Sequence, residues 1–148
     1  MTNPSFVHLD VNTEYSIGRS IIRRDALIDA CIEMDMPAFG VTEHNNLFSA
    51  YKLFKSSQKK GIKYIIGSTI TIIDHIERSK SRLSLLCENE IGYKNLCRLI
   101  TKSYIKGLIK NEPLIDMKWL EGQTDGLIAI SSYGNGYFQH SKSMDESL

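Results

Sequence analysis

Five residues near the start of the chain carry side chains that metal-dependent chemistry uses. His8, Asp10 and Asn12 sit two apart, so an extended backbone places all three on one face. Glu43 and His44 follow the apolar run Ala38-Phe39-Gly40-Val41-Thr42, where a second strand would end. Carboxylate and imidazole donors gathered in this way form divalent-metal centres. From spacing alone they are also ordinary strand-end polar residues, and that is the more economical reading. His75 and His140 fall in polar stretches and read as solvated. Cys31, Cys87 and Cys97 are odd in number and lack a C-x-x-C spacing. They read as reduced thiols that behave as small buried hydrophobes. No G-x-S-x-G elbow, Walker A loop or G-x-G-x-x-G turn occurs. Arg23-Arg24, Lys59-Lys60 and Lys102…Lys106…Lys110 are interrupted basic runs. They read as solvated helix faces, with a phosphate-contacting patch as the sharper alternative.

These residues must be positioned by a small chain. Its 148 residues suit one domain or part of a larger one, and 42% apolar with 24% charged residues excludes wholesale disorder. A formal charge of +1 excludes a polybasic arm or an acidic tail, but not a local patch. No apolar run approaches the roughly 18 residues of a membrane span. The first residues, Met1-Thr2-Asn3-Pro4-Ser5-Phe6, lack the pattern of a secretory signal, so a cytoplasmic location is expected.

The periodicity predicts strands alternating with helices. Phe6 to Val11 alternates as a strand. Arg23 to Met36 is a helix with Leu27, Ala30, Cys31 and Met34 on one face, ended by Pro37. Ala38 to Thr42 is a short buried strand. Asn45 or Asn46 caps a helix carrying Leu47, Ala50, Tyr51 and Phe54, and Gly61 closes it. Tyr64 to Ile73 and Arg82 to Cys87 are strands separated by a polar loop. Asn89 caps a helix running to about Lys106, and Asp116 caps a short turn around Trp119. Leu127 to Ile130 is the last strand. The alternation predicts an α/β fold with mostly parallel strands and outer helices. The domain is expected to span 1–136, with 137–148 a polar, frayed tail.

The segments, taken in order, resemble the PHP (polymerase and histidinol phosphatase) domain, in the form found at the N-terminus of bacterial DNA polymerase III α subunits. The stretches that carry the resemblance are Phe6-Val7-His8-Leu9-x-Val11-x-Thr13-Glu14-Tyr15-Ser16, Met36 to Phe48, Gly61 to Gly67, Leu83 to Leu96, and Gly126 to Ser131. The resemblance implies a partial PHP-type distorted β/α barrel. Active members are metal-dependent phosphoesterases, with His, Asp, Glu and sometimes Cys around a multinuclear centre that supplies a hydroxide nucleophile.

Carried over by position, the family's first H-x-H falls on Asp10 and Asn12. Its loop aspartate falls near Arg19, and its Asp-His falls on Glu43 and His44. Its next glutamate falls on Thr69, its next histidine near Arg82, and its cysteine near Tyr133. The distal D-x-H of the family lies beyond Leu148. Only His44 is kept unchanged. The resemblance therefore implies a vestigial site with no catalytic residue and no cofactor expected. The alternative is zinc or manganese on Asp10, Glu43 and His44. Arg19 or Arg82 is expected to pair with Asp10 or Glu43, ion pairs replacing metal bridges. The implied partners are the proofreading exonuclease subunit and the remainder of the polymerase α subunit, and the implied role is a scaffold. DNA is expected only through the parent enzyme, whose palm lies downstream. The other readings are a PHP phosphoesterase or exonuclease, and a truncated remnant without an independent role.

Overall fold

The computed structural model describes residues 6–74 and 79–131. The chain divides into two compact units, Met1–Ser68 and Thr69–Leu148.

In the first unit, α1 (Arg24–Glu33), β1 (Ala38–His44) and α2 (Ala50–Lys60) lead into β2 (Lys63–Asp74), which continues past Ser68. Their core is Leu27, Ile28 and Cys31 of α1, Phe39 and Val41 of β1, Leu53 of α2, and Ile62. Each large side chain buried this completely contributes about 1.5–3 kcal/mol. Phe39 also stacks on Tyr64 with ring centroids 5.4 Å apart.

Gly61 ends α2 as predicted. At φ 71° it adopts the left-handed conformation that glycine takes without strain. The bonds Ile62 N–H to Ser57 O (3.1 Å) and Gly61 N–H to Gln58 O (3.4 Å) complete a Schellman motif. The start of α2 differs from expectation. Asn46 Oδ1 accepts from Phe48 N at 3.0 Å, forming a turn ahead of the helix rather than its cap. Ser49 takes the N-cap position, and its side chain makes no cap bond.

The expected strand Phe6 to Val11 is not a regular strand. It touches β1 through one isolated parallel bridge, Val11 with Val41. Gly40 N–H donates to His8 O at 2.7 Å, and Thr42 N–H donates to Val11 O at 2.8 Å. Phe6 and Leu9 stay exposed, so no apolar burial rewards a longer ladder. The backbones approach so closely that a Cβ on Gly40 would lie 2.8 Å from the Leu9 carbonyl oxygen.

In the second unit, β2 has β3 (Ser79–Cys87) as its neighbour, and β3 pairs with β7 (Leu127–Ser131). The β3–β7 ladder is antiparallel, with Leu85 opposite Ala129. The sheet is therefore mixed rather than wholly parallel. β6 (Ile115–Asp116) runs parallel to β2, with Ile72 opposite Ile115. A small hairpin of β4 (Leu108–Ile109) and β5 (Glu112–Pro113) was not foreseen. The fold is thus α/β with mixed pairing, and barrel closure is not among the pairings of the described residues.

Helix α3 (Glu90–Lys106) packs on β3, β6 and β7, with Leu96 and Leu99 buried. Asn89 caps it as predicted, its Oδ1 accepting from Ile91 N (2.9 Å) and Gly92 N (3.1 Å). Gly92 lies against Gly126, and a Cβ there would sit 1.8 Å from the Gly126 carbonyl oxygen. Asp116 likewise caps the predicted turn, a 3-10 turn at Met117–Leu120.

Candidate functional site

Strand β1 delivers Glu43 and His44 to one end of the first unit, where the chain turns through Asn45 at φ 53°. Glu43 is 1% exposed. A carboxylate so deep in the protein needs partners for its oxygens. Oε1 accepts from the hydroxyls of Thr13 and Ser49, the latter at 2.9 Å. Oε2 accepts from the Ser16 hydroxyl and from Thr13 N–H at 3.2 Å. Thr13, Ser16 and Ser49 are themselves buried. Four donors thus take up the lone pairs that a cation would require. Ser68 Oγ adds a bond to the Glu43 carbonyl oxygen at 2.7 Å.

His44 is tied into the same cluster. Its backbone N–H donates to Ser16 Oγ at 3.0 Å, so Ser16 links the two neighbouring residues. On the ring, Nε2 lies 3.1 Å from Arg19 Nη2 and 3.3 Å from Asn45 Nδ2. A guanidinium can only donate. Nε2 is therefore the acceptor, which places the ring proton on Nδ1. The lone pair that would bind a metal points at a fixed positive charge.

Asp10 and Asn12 converge on Thr42. Asp10 Oδ1 accepts from the Thr42 hydroxyl, and Asn12 Nδ2 donates to the Thr42 carbonyl oxygen at 2.8 Å. Of the two carboxylates expected to meet an arginine, Glu43 is surrounded by hydroxyls, and Arg19 also reaches the ring of His44. In the second unit, Thr69 Oγ1 bonds Ser84 Oγ at 2.8 Å. Arg82 is half-buried on β3 and lines a cavity of about 190 Å³ with Thr71, Lys80, Ser81 and Glu112. Lys80 and Glu112 form an ion pair there at 2.7 Å. Arg82 itself forms no ion pair among the described residues, which corrects the second pairing expected. Tyr133, His75 and His140 lie outside the described residues.

Sequence reasoning missed Thr13, Ser16 and Ser49 as partners of Glu43. They are small hydroxyl residues of loop-like stretches, and only the fold brings them to one carboxylate. The thiols add no donors. Burial pushes Cys31 up, and burial followed by the nearby Cys97 pushes Cys87 up to about 12. Both stay protonated near neutrality, whereas metals bind the thiolate. Among the described residues no three His, Cys, Asp or Glu side chains group as a metal donor set. Among the described residues, those at this site do not fit a multinuclear metal centre.

Comparison with known proteins adds an independent line. The family model for the PHP domain matches residues 8–146. DNA polymerase III subunit alpha of Vibrio cholerae is 33% identical over 137 residues, covering 92% of this chain and 12% of the relative. The subunit of Pseudomonas aeruginosa is 37% identical over 137 residues, with the same coverage. That of Buchnera aphidicola from Acyrthosiphon pisum is 35% identical over 138 residues. The chain thus spans 12% of the length of these curated relatives.

Among solved structures, an amidohydrolase from Chromobacterium violaceum, with bound sulfate and no metal, matches with TM-score 0.54 at 14% identity. The match covers 69% of this chain and 34% of that one. A Bifidobacterium adolescentis protein assigned as a metal-dependent phosphoesterase matches with TM-score 0.50 at 13% identity, covering 66% and 32%. At such identity these two matches speak to the fold alone.

Proposed function

The chain belongs to the PHP domain family, and from that premise we propose that it is a non-catalytic member, the N-terminal part of a PHP domain serving as a scaffold. The observation that carries this reading is the Glu43–His44 pair. Its carboxylate is enclosed by Thr13, Ser16 and Ser49, and its imidazole lone pair faces Arg19. Hydrogen bonds now join the segments that meet at the site: the end of β1, the loop through Thr13 and Ser16, and Ser49 before α2. Such a network holds the segments in register without a cation, because a buried carboxylate satisfied by several donors is anchored from each of them.

The similarity to DNA polymerase III alpha subunits supports a place in DNA replication beside the remainder of such a subunit. We further propose a docking surface for the proofreading exonuclease subunit. Among the described residues no helix is long and apolar enough to cross a membrane, and the reading assigns no membrane role.

The test is capture of the cognate proofreading exonuclease subunit by the chain in a pull-down, paired with thermal unfolding and light scattering. Retention of the exonuclease by a monomer that unfolds cooperatively is the expected result. Clean absence of binding by a well-folded monomer overturns the docking role. Aggregation without a cooperative transition favours a remnant with no independent role. His44, with Glu43 beside it and Asp10 bonded to Thr42 on the same strand, favours one competing reading, a metal-dependent phosphoesterase, which metal content and phosphoester hydrolysis would reveal.

A further inference from the structure

Away from the Glu43–His44 cluster, positive charge gathers at one place in the second unit. Arg98 and Lys102 of α3 line a cavity of about 270 Å³ together with Lys118 and Trp119 of the 3-10 turn. The lining groups are held in place. Asp116 Oδ1 accepts from Lys118 N at 2.9 Å and fixes the turn. Asn95 Nδ2 donates to Asp125 O at 3.0 Å, while its Oδ1 accepts from Arg98 Nη1 at 3.2 Å. Lys102 Nζ sits 4.4 Å from the Trp119 ring centroid, a cation–π contact that keeps its charge at the cavity. No carboxylate pairs with Arg98, Lys102 or Lys118 among the described residues. Glu121, which also lines the cavity, is exposed and outnumbered.

A second cavity, about 350 Å³, shares Arg98 and Lys102 and extends along α3 to Ile105 and Lys106. Arg98, Lys102 and Lys106 recur at every fourth residue of one helix, so their charges step about 6 Å along its axis. A regular row of cations suits a ligand with regularly repeated anions better than a single ion. A flat indole and the apolar surface beside Ile105 suit planar bases. Aromatic platforms beside a basic groove are how single strands are held without sequence preference. The overall charge of +1 left room for a local basic patch, and this cluster is one.

We propose that this groove binds single-stranded nucleic acid, with Arg98, Lys102, Lys106 and Lys118 on phosphates and Trp119 as the wall against a base. Trp119 is the chain's sole tryptophan, so its emission reports directly on the cavity. The experiment titrates the 148-residue chain with oligothymidylate at several salt concentrations, and in parallel with polyglutamate and with inorganic phosphate.

The expected result is quenching of Trp119 by the oligonucleotide, with log K falling against log salt at a slope of about −2 to −3, roughly −0.7 for each of three or four phosphate contacts. Lys118→Ala, an exposed substitution checked by circular dichroism, lowers the slope by about 0.7 and weakens binding several-fold. Glu121→Gln removes a repulsive carboxylate and tightens binding. Unchanged emission at low salt overturns the proposal, as does a Lys118→Ala variant that binds like the parent. Polyglutamate that binds as tightly as the oligonucleotide also overturns it and reassigns the groove to an acidic protein segment. Inorganic phosphate that matches the oligonucleotide's affinity leaves only a single-anion site and overturns the strand.

Discussion

The Arg19 guanidinium stands 3.1 Å from His44 Nε2. His44, the residue the resemblance marks as a metal ligand, thus offers its lone pair to a cation of the chain itself. Two like charges this close repel strongly unless carboxylates intervene, and the nearest buried carboxylate, Glu43, is already enclosed by hydroxyls. Replacing Arg19 by alanine is therefore expected to raise zinc affinity by about tenfold or more, in the range that neighbouring groups exert on metal ligands. Isothermal titration of both proteins measures it. Equal affinity would mean that Arg19 does not guard the imidazole.

Glu43 joins three segments through its carboxylate. Glu43→Ala leaves the buried hydroxyls of Thr13, Ser16 and Ser49 without their acceptor, and is expected to cost about 2–4 kcal/mol in urea unfolding. Ser49→Ala removes one bond of the set and is expected to cost about 1 kcal/mol. A Glu43→Ala protein as stable as its parent would remove the carboxylate's structural role.

Gly92 and Gly126 meet backbone to backbone. A Cβ on Gly92 would lie 1.8 Å from the Gly126 oxygen, with no flexible side chain to give way. Gly92→Ala is expected to destabilise the chain by about 3 kcal/mol or more, at the upper end of overpacking costs. Thermal unfolding checks it, and a shift of less than a degree would contradict the close approach.

Burial, and next the neighbouring Cys97, raise Cys87 from 9.0 to about 12. The folded chain therefore holds this proton after the unfolded chain has lost it. Protons bound in the folded state then exceed those in the unfolded state, so stability is full below about pH 9 and falls as pH rises from 9 toward 12. Cys87→Ala is expected to flatten that fall relative to the parent. Urea unfolding at pH 8 and pH 10.5 compares them, and parallel losses in both proteins would assign the fall to other groups.

What the sequence made legible follows from local chemistry. Asn89, Gly61 and Asp116 announced their caps because each acts on backbone groups within a few residues. The antiparallel β3–β7 pairing was not legible, because strand direction depends on how the chain returns and not on the residues of either strand. The leading segment alternates like a strand, yet Phe6 and Leu9 find nothing to bury against. At the site, the types and spacing of Asp10, Asn12, Glu43 and His44 drew attention to them, and family resemblance added Arg19. Their partners were not legible, since the hydroxyls around Glu43 come from distant stretches. The contact of Arg19 Nη2 with the acceptor nitrogen of His44 was not foreseen, because only the fold brings those two side chains together.

The most direct test of the account is metal content after incubation with zinc and with manganese, by elemental analysis, alongside hydrolysis of a generic phosphoester. The account predicts metal far below one ion per chain and no turnover. Stoichiometric metal, with turnover abolished by His44→Ala, would contradict it and show that Asp10, Glu43 and His44 rebuild a working centre.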